Sequence, residues 1–436
     1  MFMKHFLTCL MFLVVVISFS CSTSKVQIKS TARLIQQSEV FSQNQTGVVF
    51  YDITEQKIVF EQEANRFFMP ASNTKLFTFY ASLKTLGDSI PAFHYQVTGD
   101  SLIVWGTGDP SFLHPDLAKS KVYDFLKSRP EKIYFSNDNF TGSFLGQGWA
   151  WDDFNDDYAA EISGFPIHGN VVRFKAKEQN TLSVSPKFFE NKVYDWSNTN
   201  SFSIQRDLGA NLFSHPSLQK MKPTFEQDVP FKTGIDITVA LLSDTLKKEV
   251  TLVNKALDKS AKTFYSLPAD SLYKRMLHVS DNMIAEHLMV LNADVLTGEL
   301  NVTKGIDAVK KKFMTDLPDV SRWVDGSGLS RYNLFTPRSI VKLLQNIYLI
   351  VPQERLFQLL PAAGKSGTLK SLSSTEKPFI FAKSGSFSNN YNLSGYLVTK
   401  KGKVLIFSIM NNSFMKPMSE IRKEVSKILT EVHEKN

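Results

Sequence analysis

Apolar residues recur along this chain with two different periods, which together predict a mixed α/β (α+β) fold. Two apolar runs at residues 47–52 and 57–60 flank a short polar turn and predict a β-hairpin. A weaker pattern at residues 34–41 predicts an earlier helix. After Pro70, apolar side chains repeat at helical intervals and predict a helix that ends before Gly87. These side chains are Leu76, Phe79, Tyr80 and Leu83.

The middle of the chain consists of short apolar runs broken by Gly, Asp, Asn and Pro, which predict a β-rich segment. The predicted strands are residues 101–105, 132–135, 171–175, 181–184 and 201–206. Helical periodicity is sparse in this part until residues 234–243. We interpret residues 93–264 as a β-rich insertion, of one or more domains, which divides another domain into residues 31–92 and 265–436; two independent domains in tandem are the alternative.

The last part of the chain has a helical pattern from Leu267 onwards and then changes to strands. A polar loop at 325–333 precedes a helix that begins at Thr336-Pro337, with proline in the first turn. Strands are predicted at residues 379–383, 393–399 and 403–410. A closing helix has one apolar face, which should pack on the sheet. This face consists of Ile421, Val425, Ile428, Leu429 and Val432.

The first residues have the pattern of an export signal. Lys4 and His5 precede an apolar run at residues 6–17, which is too short to span a bilayer, and small residues follow it. We predict a signal peptide at 1–20. Cys21 resembles the position at which bacterial lipoproteins are cleaved and lipidated, which implies a periplasmic protein anchored to a membrane, with residues 21–30 as a tether. The alternative is a plain signal peptide that leaves one unpaired thiol.

Composition narrows the class of protein. The chain has 436 residues, 43% of them apolar and 21% charged, as in an ordinary globular protein. Its formal net charge is +8, but the lysines are scattered, which indicates a basic solvated surface and no nucleic-acid partner. Neither a His-Glu-x-x-His pattern nor paired cysteines occur in the sequence, so we expect no metal cofactor.

Candidate chemistry begins at the helix after Pro70, where Ser72 is followed by Lys75. Side chains three residues apart lie on the same face of a helix, so the Lys75 amine can reach the Ser72 hydroxyl and activate it as a nucleophile. The spacing alone is not specific, because Ser-x-x-Lys occurs seven times in the chain. The position at the start of an apolar helix distinguishes this pair from the other six.

Two further motifs complete a known set. Ser280-Asp281-Asn282 opens a predicted helix, and Lys383-Ser384-Gly385-Ser386 ends a predicted strand. A second Lys-Ser-Gly at residues 365–367 follows no predicted strand and is set aside. Ser-x-x-Lys, Ser-x-Asn and Lys-[Thr/Ser]-Gly, in that order, occur in penicillin-binding proteins and class A β-lactamases.

With a long insertion between the first two motifs, the chain resembles the class C low-molecular-mass penicillin-binding proteins, the D-alanyl-D-alanine carboxypeptidase/endopeptidase family. Further matches lie at residues 106–110, 148–153, 325–333 and 364–369. The resemblance implies a transpeptidase/β-lactamase-like domain, in which a central antiparallel sheet is flanked by helices, with a β-rich inserted domain.

The resemblance also implies roles for the motif residues. Ser72 would attack the carbonyl carbon of the penultimate D-Ala and form an acyl-enzyme, with Lys75 as general base. That role requires the pKa of Lys75 to be lowered by burial and by nearby positive charge such as Lys383. Ser280 would relay a proton to the leaving amine, and Asn282 would hold Lys75 and a substrate amide.

The third motif would bind the substrate. Lys383 and the hydroxyl of Ser384, where the family usually has Thr, would bind the terminal carboxylate. The backbone of Gly385 and Ser386 belongs to the same motif, and the N–H groups of Ser72 and Ser386 would form the oxyanion hole.

Two other positions concern the rest of the substrate. Asp153 resembles an acid that meets the amine of diaminopimelate in the stem peptide, and Arg331 resembles a substrate-contacting arginine. A solvated loop acid and a structural ion pair are the alternatives for these two residues. Ser388 stands where a longer polar side chain is expected, which affects substrate preference.

The resemblance therefore implies a serine D-Ala-D-Ala carboxypeptidase that also cleaves D-Ala to meso-diaminopimelate cross-links. Its partners would be peptidoglycan stem peptides, β-lactams as inhibitors and a membrane through the lipid anchor. A β-lactamase or esterase on the same fold, and a catalytically inactive peptidoglycan-binding scaffold, are the alternatives.

Overall fold

The computed structural model describes residues 23–119, 121–178, 181–197, 201–372 and 376–436. The predicted signal peptide and Cys21 lie outside these residues. The chain divides into two compact units, one formed by the described residues up to Asn73 with Phe335–Asn436, the other by Thr74–Leu334. The predicted insertion at 93–264 falls inside the second unit, and its boundaries stay a prediction.

The α-helices of the described residues are numbered in chain order. They are α1 (Thr23–Gln36), α2 (Thr74–Thr85), α3 (Val122–Ser128), α4 (Ile235–Leu246), α5 (Ala269–His278), α6 (Asn282–Thr297), α7 (Val302–Phe313), α8 (Pro337–Ile350), α9 (Gln353–Leu359) and α10 (Met418–Lys435). None of them is long and apolar enough to cross a membrane.

The strands are numbered in the same way. They are β1 (Gln45–Asp52), β2 (Lys57–Gln62), β3 (Ser89–Thr98), β4 (Ser101–Gly106), β5 (Lys132–Ser136), β6 (Val171–Lys177), β7 (Thr181–Ser185), β8 (Val193–Ser197), β9 (Gln205–Arg206), β10 (Phe213–Pro216), β11 (Glu226–Pro230), β12 (Val250–Leu252), β13 (Lys262–Pro268), β14 (Ile380–Phe387), β15 (Asn390–Val398) and β16 (Val404–Asn412).

The first unit is built on one antiparallel sheet with the strand order β14-β15-β16-β1-β2. On one face, Phe407 and Ile409 of β16 pack with the apolar face of α10. On the other face, the Tyr396 hydroxyl of β15 donates a hydrogen bond to the Leu344 carbonyl of α8 at 2.8 Å. Both faces of the sheet are covered, and all but one residue of each of β15 and β16 are buried.

The described residues of the second unit form one five-stranded sheet, two three-stranded sheets and several helices. Their strand orders are β12-β5-β4-β3-β13, β11-β6-β7 and β8-β10-β9. Aromatic side chains dominate the core of this β-rich part; for example, Phe93 stacks on Phe264 with ring centroids 5.2 Å apart. Helix α6 is buried along most of its length and packs against α2 and α7. This packing places the start of α2 beside the start of α6.

Most predicted elements are confirmed: the hairpin β1–β2, helix α2, strands β4 to β7 and the apolar face of α10. The first helix was predicted at 34–41, but α1 extends over Thr23–Gln36, including most of the predicted tether. The strand predicted at 201–206 was wrong in extent, since only Gln205–Arg206 pairs with a neighbour. The strand predicted at 379–383 was too short, because β14 continues through the third motif to Phe387.

Candidate active site

In the first unit, Ser72 lies in a 3-10 turn, Ala71–Asn73, directly before α2. Because this turn runs directly into α2, the half-buried Ser72 is at the amino-terminal end of a continuous helical segment, just after Pro70. The Asn73 side chain anchors the turn by donating to the carbonyl of Lys383 at 3.1 Å and of Asn392 at 3.4 Å. The turn is thus attached to the strand that carries the third motif.

Gly385 permits this close approach of the two segments. A Cβ atom at this position would lie 2.5 Å from the Pro70 carbonyl oxygen and 2.8 Å from the backbone nitrogens of Ser72 and Asn73. Real Cβ atoms do not approach backbone so closely, and therefore glycine is required here for steric reasons. The backbone of β14 consequently runs beside the backbone N–H of Ser72, and the exposed Ser386 follows it.

Lys383 and Ser384 occupy the buried part of the same strand. The Lys383 ammonium donates to the Ser384 carbonyl at 2.7 Å, and the Ser384 hydroxyl donates to the hydroxyl of Thr368 at 2.7 Å. Thr368 directly follows the second Lys-Ser-Gly, to which the sequence assigned no role. Its hydroxyl holds Ser384, whose side chain lacks the β-branch that makes threonine stiffer.

In the second unit, Lys75 lies in the first turn of α2 and is fully buried. Its ammonium group donates to the Asn282 side-chain oxygen at 2.6 Å and to the Ser327 carbonyl at 2.7 Å. The Asn282 amide nitrogen in turn donates to the Tyr158 carbonyl at 2.9 Å. The first two motifs, far apart in sequence, are therefore joined directly at Lys75 and Asn282.

Burial lowers the pKa of Lys75 from 10.5 to about 8. Three acids, Asp325, Glu286 and Asp281, act in the opposite direction because their negative charges favour the ammonium form. A pKa near 8 leaves a useful fraction of neutral amine at neutral pH, as a general base requires.

Ser280 lies in the short connection between α5 and α6. Its φ of 64° is in the left-handed region, which costs a residue other than glycine roughly 1 kcal/mol or more. The next residue, Asp281, is the N-cap of α6, and its carboxylate accepts a hydrogen bond from the Ile284 backbone N–H at 3.0 Å. The cap helps to hold the strained Ser280 just before the start of α6.

Two buried acids near Lys75, Glu286 and Asp325, had no role in the sequence prediction. Glu286 accepts hydrogen bonds from the backbone N–H groups of Gly326 and Ser327 at 2.9 and 2.7 Å, which shapes the loop that carries the Ser327 carbonyl. Burial and then the charge of Asp325 raise the pKa of Glu286. The sequence signal for Glu286 was an acid within the apolar stretch of α6. Its partners, Gly326 and Ser327, come from a loop that is distant in sequence.

The remaining predicted residues are less closely connected to Lys75. Asp153 lies in a 3-10 turn and accepts a hydrogen bond from the Tyr158 hydroxyl at 2.9 Å. Tyr158 also receives the Asn282 bond, so Asp153 is linked to the second motif through one residue. Arg331 lies exposed on the loop after Ser327. The catalytic and binding roles of all these residues stay predictions.

Comparison with known proteins identifies relatives along almost the whole chain. Residues 27–208 and 225–432 match the D-Ala-D-Ala carboxypeptidase 3 (S13) family. The D-alanyl-D-alanine carboxypeptidase DacB of Haemophilus influenzae is 22% identical over 432 residues, which cover 84% of this chain and 85% of the relative.

Solved structures show the same fold. Penicillin binding protein 4 from Haemophilus influenzae superposes with a TM-score of 0.71 at 21% identity, covering 92% of this chain and 97% of the other. A predatory peptidoglycan endopeptidase from Bdellovibrio bacteriovorus gives a TM-score of 0.50 at 15% identity, covering 88% and 92%. The expected transpeptidase-like fold is thereby confirmed.

Proposed function

Because the chain belongs to the D-Ala-D-Ala carboxypeptidase 3 (S13) family and is a serine peptidase, we propose that it releases D-Ala from peptidoglycan stem peptides through an acyl-enzyme on Ser72. The observation that carries this proposal is the buried Lys75, three residues after Ser72, with a pKa lowered to about 8. A buried amine that loses its proton near neutral pH is the base that a serine nucleophile needs.

In the first step, the neutral Lys75 amine takes the Ser72 hydroxyl proton, and the serine oxygen attacks the carbonyl carbon of the penultimate D-Ala. The carbonyl oxygen becomes an oxyanion, for which the backbone N–H groups of Ser72 and Ser386 are the proposed donors. The close approach that Gly385 permits supports this assignment. One such donor is worth on the order of 3 kcal/mol in the transition state.

In the second step, the amide bond breaks and the leaving D-Ala amine takes a proton from Lys75 through the Ser280 hydroxyl. Asn282 keeps the Lys75 amine in place through its 2.6 Å contact. Lys383 and Ser384 are the proposed partners of the terminal carboxylate, and water then hydrolyses the acyl-enzyme. No metal takes part in this proposal.

We also propose endopeptidase activity on D-Ala to meso-diaminopimelate cross-links, with Asp153 meeting the free amine of the diaminopimelate side chain. The structural likeness to a peptidoglycan endopeptidase supports a fold that can accept cross-linked material. Chromatography of digested sacculi separates the two activities: monomeric pentapeptides become tetrapeptides, and dimers become monomers. Asp153→Asn should weaken cleavage of diaminopimelate substrates more than that of analogues whose third-position side chain lacks the amine, and equal effects would refute this role.

We propose that penicillins acylate Ser72. A structure of penicillin binding protein 4 from Haemophilus influenzae complexed with a β-lactam supports this proposal. The test is intact-mass spectrometry after mixing with a penicillin. The wild type should gain the mass of one opened penicillin, and Ser72→Ala should not. Ser217→Ala, in another Ser-x-x-Lys pattern, is the matched control and should behave as wild type.

Two other results would contradict the proposal. If the protein gains no mass and the penicillin stays intact, the protein is an inactive scaffold. If the protein gains no mass but the penicillin is hydrolysed, the protein is a β-lactamase.

Finally, we propose a periplasmic location with a lipid anchor at Cys21. Cys21→Ala should move the protein from the membrane to the soluble periplasmic fraction and abolish incorporation of a labelled fatty acid. An unchanged distribution would favour the plain signal peptide.

A further inference from the structure

An ion-pair network in the second unit ends at the motif that holds Lys75. Arg275, in the last turn of α5, donates from Nε to one carboxylate oxygen of Asp281 at 2.9 Å. The other oxygen of Asp281 caps α6 through Ile284. Both oxygens of this carboxylate are therefore engaged, one at each end of the connection between the two helices. Ser280, with its left-handed backbone, lies within that connection.

The same arginine reaches the β-rich segment. Its second guanidinium nitrogen donates to Asp116 at 2.9 Å. Asp116 also accepts two hydrogen bonds from Arg173 of β6, at 2.6 and 2.9 Å. Arg173 completes a second bidentate pair with Asp228 of β11, at 2.7 and 2.6 Å. Two strands of the segment are thus connected to Arg275 through paired, geometrically specific contacts.

Burial makes this network more than a set of surface ion pairs. The side chains of Arg275, Asp281 and Arg173 are 23%, 12% and 13% exposed, so solvent screens them only in part. The segment also contacts the motif from a second direction, since the Tyr158 carbonyl accepts a hydrogen bond from Asn282. The motif is therefore held on one side by Arg275, which Asp116 of the predicted insertion binds, and on the other by Tyr158 of that insertion.

We propose that Arg275 is a positioning residue: by clamping Asp281 it holds Ser280 and Asn282 in place for Lys75, and Asp116 extends this hold to the β-rich segment. The segment thereby contributes to the geometry of catalysis without touching the reacting atoms. This inference rests on the proposed function of Ser72 and Lys75, and it assigns a task to a part of the chain that holds none of the three motifs.

The test measures the rate of acylation by a penicillin in the full mature protein. Arg275→Gln should lower the maximal rate roughly tenfold, less than the about 10²-fold that a misplacement of 1 Å can cost. Arg275→Lys, which keeps the charge but not the fork, should recover part of the rate. Asp116→Asn should give a smaller loss. Arg129→Gln breaks an ion pair with Glu131 in the same unit and is the matched control, expected to leave the rate unchanged.

A double-mutant cycle shows whether Arg275 acts through Asp281. Asn is also a good N-cap, and so Asp281→Asn removes the ion pair while it keeps the cap. In that background Arg275→Gln should cause no further loss. The pH dependence supplies a readout that a purely structural role would not change. The acids that face Lys75 are Asp325, Glu286 and Asp281. Loss of Arg275 leaves Asp281 uncompensated and should move the acylation midpoint to higher pH, whereas Asp281→Asn should move it to lower pH.

Each outcome decides the matter. Unchanged acylation in Arg275→Gln, fully additive losses in the double mutant, or a loss that only follows the fraction of unfolded protein in urea would overturn this inference alone. A wild type that takes up no penicillin would overturn the proposed function and this inference together.

Discussion

The buried Lys75 makes the pH dependence of acylation a quantitative test. With a pKa of about 8, about 9% of the amine is neutral at pH 7, whereas about 0.03% would be neutral at the ordinary value of 10.5. Burial therefore increases the amount of active base about 300-fold at this pH. Since only the neutral amine can accept the Ser72 proton, the acylation rate should rise with pH and level off above the pKa.

The expected profile follows from these fractions. The neutral fraction is about 1% at pH 6, 50% at pH 8 and 90% at pH 9, so the rate should increase about tenfold from pH 6 to pH 7 and about tenfold again to pH 9. The assay is the second-order rate constant for penicillin acylation between pH 6 and pH 10, read by intact mass at short times. Lys75→Arg, which stays protonated throughout, should abolish the reaction at every pH.

The control is Lys365→Arg, at the exposed lysine of the second Lys-Ser-Gly, which should reproduce the wild-type profile. A rate that does not change between pH 6 and pH 9 would refute Lys75 as the base. A rate that still rises tenfold per pH unit at pH 10 would show that burial does not lower its pKa. Appreciable acylation in Lys75→Arg would point to another base.

Three further predictions concern contacts of the second and third motifs. Gly385→Ala should lower the free energy of unfolding by about 1–3 kcal/mol and reduce acylation, because its Cβ would meet the Pro70 carbonyl at 2.5 Å. Urea titration measures the loss of stability, and a wild-type midpoint would contradict this prediction. Asn282→Ala removes an acceptor from a buried ammonium and should cost about 1.5–3 kcal/mol in the same titration, with a loss below 0.5 kcal/mol arguing against this contact. Thr368→Val leaves the Ser384 hydroxyl without this acceptor and should raise KM for a D-Ala-D-Ala peptide roughly two- to tenfold, while the double variant with Ser384→Thr should recover most of it.

Local patterns were sufficient for several elements. The apolar face of α10 was predicted residue by residue, because a helix that packs one side on a sheet must repeat apolar residues every three or four positions. The helix after Ser72 was equally clear, since Pro70 and Gly87 bound an apolar run. The three motifs were recognised because their residue types and order are specific.

Elements that depend on a partner were predicted less well. The strand β14 extends through the polar third motif because it pairs with β15 as far as Phe387 opposite Asn390. The first helix starts at Thr23, earlier than its apolar pattern indicates, and it packs against α10 through Ile35. Only Gln205–Arg206 of the strand predicted at 201–206 finds a partner, so the rest stays outside a sheet. Pairing and packing overrode local propensity in each case.

Residue types and their order are enough to predict the residues that do the chemistry: two serines, two lysines and an asparagine, on a fold whose helices and central strands follow from periodicity. The environment of those residues depends on contacts that only the folded chain makes. It buried Lys75, placed Asn282 and the Ser327 carbonyl on its amine, and connected Asp281 to Arg275 and Asp116. Burial and electrostatic interactions depend on distances between residues that are remote in sequence, and no local pattern encodes those distances.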